Sequence, residues 1–146
     1  MTEAEKTDIY EASIRDYTRA IELSPNYIEA YFNRGIAYSN LTLFDEALED
    51  FSKVISLDNK VAEAYYYRGN VYFNKLKYQQ AIKDYTKLIE FRPGLAKAYN
   101  NRGSAYAQEK DYDQAISDFT KLIELAPNDP DAYYYRGNAY FYTDRR

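Results

Sequence analysis

Apolar side chains stand at Ala47, Leu48, Phe51, Val54 and Ile55, the i, i+1, i+4, i+7 and i+8 spacing that gathers them on one face of an α-helix. The same stripe returns as Ala81, Ile82, Tyr85, Leu88 and Ile89, and again as Ala115, Ile116, Phe119, Leu122 and Ile123. A second helical pattern precedes each stripe. Tyr31, Arg34, Gly35 and Tyr38 recur as Tyr65, Arg68, Gly69 and Tyr72, then as Tyr99, Arg102, Gly103 and Tyr106, then as Tyr133, Arg136, Gly137 and Tyr140. Each copy is displaced from the last by 34 residues. The unit is therefore a helix pair, repeated along the chain.

Glycine inside a helix costs about 1 kcal/mol relative to alanine. Its return in every copy predicts a neighbouring helix that comes too close for a side chain, with Gly35 facing Ala47. The helix ends are also predicted: a capping box from Asn26 and Glu29, and Asp129 as an N-cap with Pro130 at the first helical position. Pro25, Pro93 and Pro127 stop any continuation of the helix before them. Complete units are expected at 28–61, 62–95 and 96–129. Segment 1–27 carries a second-helix pattern, Ser13, Tyr17, Ala20 and Pro25, on one long helix starting near Thr2 or Glu3. Segment 130–146 carries a first helix without its partner.

These residues and their offsets resemble the tetratricopeptide repeat, whose signature sets an aromatic residue, Leu, Gly and Tyr, then Ala, Phe and Pro within 34 residues. Here Tyr stands throughout where that signature has Trp, Arg stands for Leu, and Asn59 replaces the closing proline of the copy that holds Phe51. Aromatic bulk, the close-approach glycine and the Ala and Phe or Tyr ladder all remain. The resemblance implies an all-α fold, a right-handed α-α superhelix of antiparallel helix pairs. It also implies a concave groove, lined by the first helices, that holds an extended peptide or a partner helix.

Offsets from the glycine put Phe32, Asn33, Ile36 and Asn40 on that groove in the first complete copy. Their counterparts are Tyr66, Tyr67, Asn70 and Asn74, then Asn100, Asn101, Ser104 and Gln108, then Tyr134, Tyr135, Asn138 and Tyr142, with Lys97 nearby. Asn offers both a donor and an acceptor to a peptide backbone, and Tyr adds broad contact area with a polar tip. The expected ligand is thus a protein segment chosen without strong charge selection. One subclass of the family clamps acidic chaperone tails with Lys, Asn, Asn, Lys and Arg. Asn70 and Asn101 match its two amides, but Tyr66, Asp131 and Tyr135 occupy the basic places. Starting one copy earlier gains Lys97 and loses both amides. A carboxylate would find little there to offset its desolvation.

Composition narrows the function further. With no Cys and no His, thiol chemistry, thiolate metal sites and the commonest general base are absent, and no cofactor or catalytic site is expected. The formal charge of -4 is spread over interspersed acids and bases, which argues against nucleic acid and anionic membranes as partners. No long apolar run or signal-peptide pattern occurs, so a soluble, cytoplasmic protein is expected.

The two incomplete ends raise a second reading. The last helix presents Tyr133, Tyr134, Arg136, Tyr140 and Phe141, and the first helix presents Asp16 and Tyr17. Either the chain is a segment of a longer array, or these surfaces meet between molecules and complete a repeat. Arg34, Arg68, Arg102 and Arg136 share one offset, and Asp16, Asp50, Asp84 and Asp118 share another. Pairing within repeats would join Arg34 to Asp50 and leave Asp16 and Arg136 available to each other between chains. Pairing across repeats would join Asp16 to Arg34.

Overall fold

The computed structural model describes residues 1–144; positions 145 and 146 of the expected last segment lie outside the described residues. Every regular element among the described residues is an α-helix. In order these are α1 Glu3–Leu23, α2 Ile28–Asn40, α3 Phe44–Leu57, α4 Ala62–Asn74, α5 Tyr78–Phe91, α6 Ala96–Gln108, α7 Tyr112–Leu125 and α8 Pro130–Thr143. The first helices of the pairs begin at Ile28, Ala62, Ala96 and Pro130, one period apart. The long helix expected at the start is present. Thr2 caps it, its hydroxyl oxygen accepting from the Glu5 amide at 3.1 Å.

Asp129 caps α8 as expected, accepting from the Asp131 amide at 3.0 Å with Pro130 at the helix start. The capping box at Asn26 and Glu29 does not form. Tyr27 is the N-cap of α2 and makes no side-chain cap bond. The helix starts one residue later than the box requires, which leaves Asn26 outside it and Glu29 one position too early. The Tyr31 hydroxyl holds this junction instead, donating to the Pro25 carbonyl at 2.8 Å. The same bond runs from Tyr65 to Asn59, Tyr99 to Pro93 and Tyr133 to Pro127.

Within pairs the turns share one geometry. Thr42, Leu76 and Lys110 have φ of 57°, 61° and 61°, the left-handed conformation that closes a helix. The amide after each bonds five residues back: Leu43 to Tyr38, Lys77 to Tyr72 and Asp111 to Tyr106, at 2.8–2.9 Å.

The chain forms two compact units, one spanning Met1–Val71 and the other starting at Tyr72 within α4. In the first, Ala47, Phe51 and Val71 form a buried core against which Phe32, Ile36, Leu48 and Tyr67 pack. In the second, the core is Tyr99, Ala115, Phe119, Leu122, Ala132 and Ala139. The close approach at glycine is real, and the atoms nearest to it belong to Phe51 rather than Ala47. A Cβ at Gly35 would lie 2.8 Å from the Phe51 ring, and one at Gly103 would lie 2.8 Å from the Phe119 ring. The ring one helical turn beyond the alanine fills the space that the missing side chain leaves.

Arg and Asp pair within repeats. Arg34 Nη2 donates to Asp50 Oδ1 at 2.7 Å and its Nε to Oδ2 at 2.8 Å. Arg102 holds Asp118 in the same way, at 2.7 and 2.9 Å. The remaining Nη1 reaches the preceding second helix, but meets a hydroxyl rather than a carboxylate. Arg34 donates to Thr18, Arg102 to Thr86 and Arg136 to Thr120, at 3.1–3.2 Å.

Candidate interaction surface

In the second unit, α6, α7 and α8 enclose a hollow of about 330 Å³. Ser104, Gln108, Asn138, Tyr135 and Tyr142 line it, all expected there from sequence, together with Ala107, Tyr112, Phe119 and Ala139, which were not. The missed residues come from the second helix and from the alanines between groove positions. A signal for them exists in the sequence, since Tyr10 and Tyr112 stand three periods apart. In the first unit Tyr10, Ser13, Tyr17, Asn33, Ile36 and Ala37 line a hollow of about 230 Å³ between α1 and α2. It is the counterpart of the α7–α8 wall: Tyr10 answers to Tyr112, Tyr17 to Phe119, Asn33 to Tyr135 and Ile36 to Asn138.

The hollow of the second unit is amphipathic. The Phe119 and Tyr135 rings lie 5.7 Å apart, and the Tyr112 and Tyr142 rings stack at 6.1 Å. Ser104 donates to the Asn100 carbonyl at 2.9 Å, so its oxygen is left as an acceptor. Lys97, Asn100 and Tyr135 line a neighbouring hollow of about 250 Å³ with Asp129 and Asp131. There Asn100 Oδ1 is buried and accepts no hydrogen bond among the described residues. Asn101 stands beside it, its Oδ1 3.5 Å from Asn100 Nδ2.

On α4, expected groove residues also pack against one another and inward. Tyr67 packs into the first core, its ring 5.5 Å from Phe32 and 5.9 Å from Phe51, and Tyr66 stands against Tyr67 at 5.2 Å. On the same helix Asn70 is half-buried and Asn74 exposed. Among the residues expected at an assembly surface, Tyr134, Tyr140 and Phe141 are exposed, as is Asp16. Tyr133 is tied to Pro127, and the Arg136 guanidinium lies 5.9 Å from the centre of the Tyr133 ring.

Another hollow of the first unit, about 580 Å³, lies around Arg34 and Asp50, with Ile21, Tyr31, Glu49 and Lys53. Its Arg34 and Asp50 charges are already matched to each other. Burial pushes the Asp50 and Asp118 carboxyls above the ordinary carboxylate range, with the arginine hydrogen bonds opposing. The same bonds raise the Arg34 and Arg102 guanidinium groups. Such bidentate pairs fix geometry, and no group of His, Cys, Asp or Glu among the described residues is placed to hold a metal ion. No helix among the described residues is long and apolar enough to cross a membrane.

Comparison with known proteins agrees with this architecture. A family model described as tetratricopeptide repeat matches residues 62–95 and 96–129, and one described as TPR repeat matches 9–41 and 44–75. No curated protein sequence matches. Among solved structures, MamA superposes with a TM-score of 0.88 at 30% identity, over 97% of this chain and 84% of that one. The Arabidopsis OM64 TPR domain gives 0.72 at 25% identity, over 77% and 93%. The first TPR of Spaghetti, solved bound to the HSP90 peptide SRMEEVD, gives 0.74 at 23% identity over 78% and 90%, a likeness of fold. Eight helices in repeating pairs among the described residues, with family models matching 9–41, 44–75, 62–95 and 96–129, show that the chain belongs to the tetratricopeptide repeat family.

Proposed function

We propose that this chain is a non-catalytic protein-interaction module that holds an extended peptide or partner helix against its first helices. The observation that carries this reading is the hollow of the second unit, where Ser104, Gln108 and Asn138 offer hydrogen-bonding groups between the Tyr112, Tyr135 and Tyr142 rings. Amides in that setting pair with a peptide main chain, and the rings cover its side chains. The tetratricopeptide fold of Spaghetti carries a peptide with two Glu and one Asp. For this chain we infer a different preference, because Tyr66, Asp131 and Tyr135 stand where an acidic-tail clamp needs cations.

Panning a random peptide library on the chain, followed by titration of the recovered peptides, tests the reading. Gln108→Ala and Asn138→Ala are expected to weaken binding about tenfold without moving the unfolding midpoint. The reading fails if no peptide is recovered, or if those recovered bind both variants as tightly as the original chain.

A further inference from the structure

Gly35 and Gly103 each receive a phenylalanine ring from the next helix, and Gly137 at the same position of α8 receives none among the described residues. A Cβ built on Gly137 meets no atom within 4 Å. Gly35 and Gly103 are buried, whereas Gly137 is exposed. Beside it, Arg136 keeps the bond to Thr120 that its counterparts keep to Thr18 and Thr86. The carboxylate that closes on Arg34 and Arg102 has no equivalent on Arg136 among the described residues. Among the described residues, then, no ring covers Gly137 and no carboxylate closes on the neighbouring Arg136.

Helix α1 offers both, in the right order. Tyr17 stands where Phe51 and Phe119 stand, and Asp16 where Asp50 and Asp118 stand. Asp16 is exposed, and no residue of α1 is buried. We propose that α8 of one molecule takes α1 of a second copy, with Tyr17 seated in the slot at Gly137 and Asp16 closing on the Arg136 fork.

Complementarity of charge and shape supports a second copy as the occupant. At Gly35 and Gly103 this position takes a flat ring and leaves no room for a side chain, at Arg34 and Arg102 the fork takes a carboxylate, and Asp16-Tyr17 presents the two as neighbours, as Asp50-Phe51 and Asp118-Phe119 do. The contact would also bring Asn138 and Tyr142 of α8 over the α1–α2 hollow, at the positions Ser104 and Gln108 hold over its counterpart. It joins unlike surfaces, so assembly either closes into a ring or continues. This inference goes beyond peptide binding and stands without it.

The test is light scattering coupled to size exclusion on the full chain, from micromolar to millimolar concentration. The mass should rise above 17.2 kDa with concentration. Asp16→Arg and Arg136→Asp should each weaken association at least about tenfold, and the two combined should recover most of it. Circular dichroism follows the helix content of each variant. Gly137→Ala supplies an arm that does not endanger folding: it improves the helix former and meets nothing in the single chain, so the unfolding midpoint should rise while association falls. A mass of 17.2 kDa throughout, single reversals without effect, or a double reversal that recovers nothing would overturn the proposal.

Discussion

Arg102 holds Asp118 by two parallel hydrogen bonds, Nη2 to Oδ1 at 2.7 Å and Nε to Oδ2 at 2.9 Å, with the aspartate side chain only 4% exposed. Removing one partner of such a buried pair leaves a charge without solvent or counter-ion. Asp118→Leu should lower the unfolding free energy by about 3 kcal/mol, whereas the double change Arg102→Leu with Asp118→Leu should cost less than the two single changes added. Urea denaturation of the four proteins measures both. Additive costs would mean that the two charges do not support each other.

The pH dependence of this pair has a definite sign. Burial raises the folded Asp118 carboxyl above its ordinary value of 3.8, so the native state binds more protons than the unfolded chain between the two values. Its contribution to stability is therefore full below 3.8 and falls as pH rises through the raised value. Relative to Asp118→Asn, the original chain should lose stability as pH increases across that window, as read by urea midpoints. A relative gain with pH would show the arginine bonds outweighing burial.

Gly103 and Gly94 should respond oppositely to alanine. At Gly103 the new Cβ would stand 2.8 Å from the Phe119 ring and 3.1 Å from Asp118 Cβ, both in a closed core. Overpacking of this kind costs about 1–3 kcal/mol, set against roughly 1 kcal/mol gained from helix propensity. Gly94 lies in open space without a positive φ, so Gly94→Ala should be neutral or stabilising by up to about 1 kcal/mol. Thermal unfolding of each variant decides, and equal effects would remove the close-approach account of the glycine.

The helix pairs were legible because period and amphipathic spacing agree over many residues. Gly35 could be read as a contact point, yet spacing alone could not tell Ala47 from Phe51 as its partner, since both lie on the same stripe one turn apart. The turns were illegible for a different reason. Their left-handed residues are Thr42, Leu76 and Lys110, none of which signals that conformation. The first-helix residues that line the hollow of the second unit follow from the glycine offset, whereas Tyr112 and Phe119 come from a second helix whose stripe already reads as core. The Tyr67 ring also leans sideways onto Phe32 and Phe51, a contact that no linear offset reports.

The tyrosine that stands in place of the family's tryptophan carries a hydroxyl, and that hydroxyl reaches a main-chain carbonyl six residues earlier in all four copies. A carbonyl is supplied by whatever residue occupies the place. Pro25, Pro93 and Pro127 serve as acceptors, and so does Asn59, where the family signature has proline. Mutational drift at the acceptor leaves the junction bonded, while Tyr→Phe at the donor would undo it. In this chain the freedom to vary therefore belongs to the linker, and the constraint to one phenol per repeat.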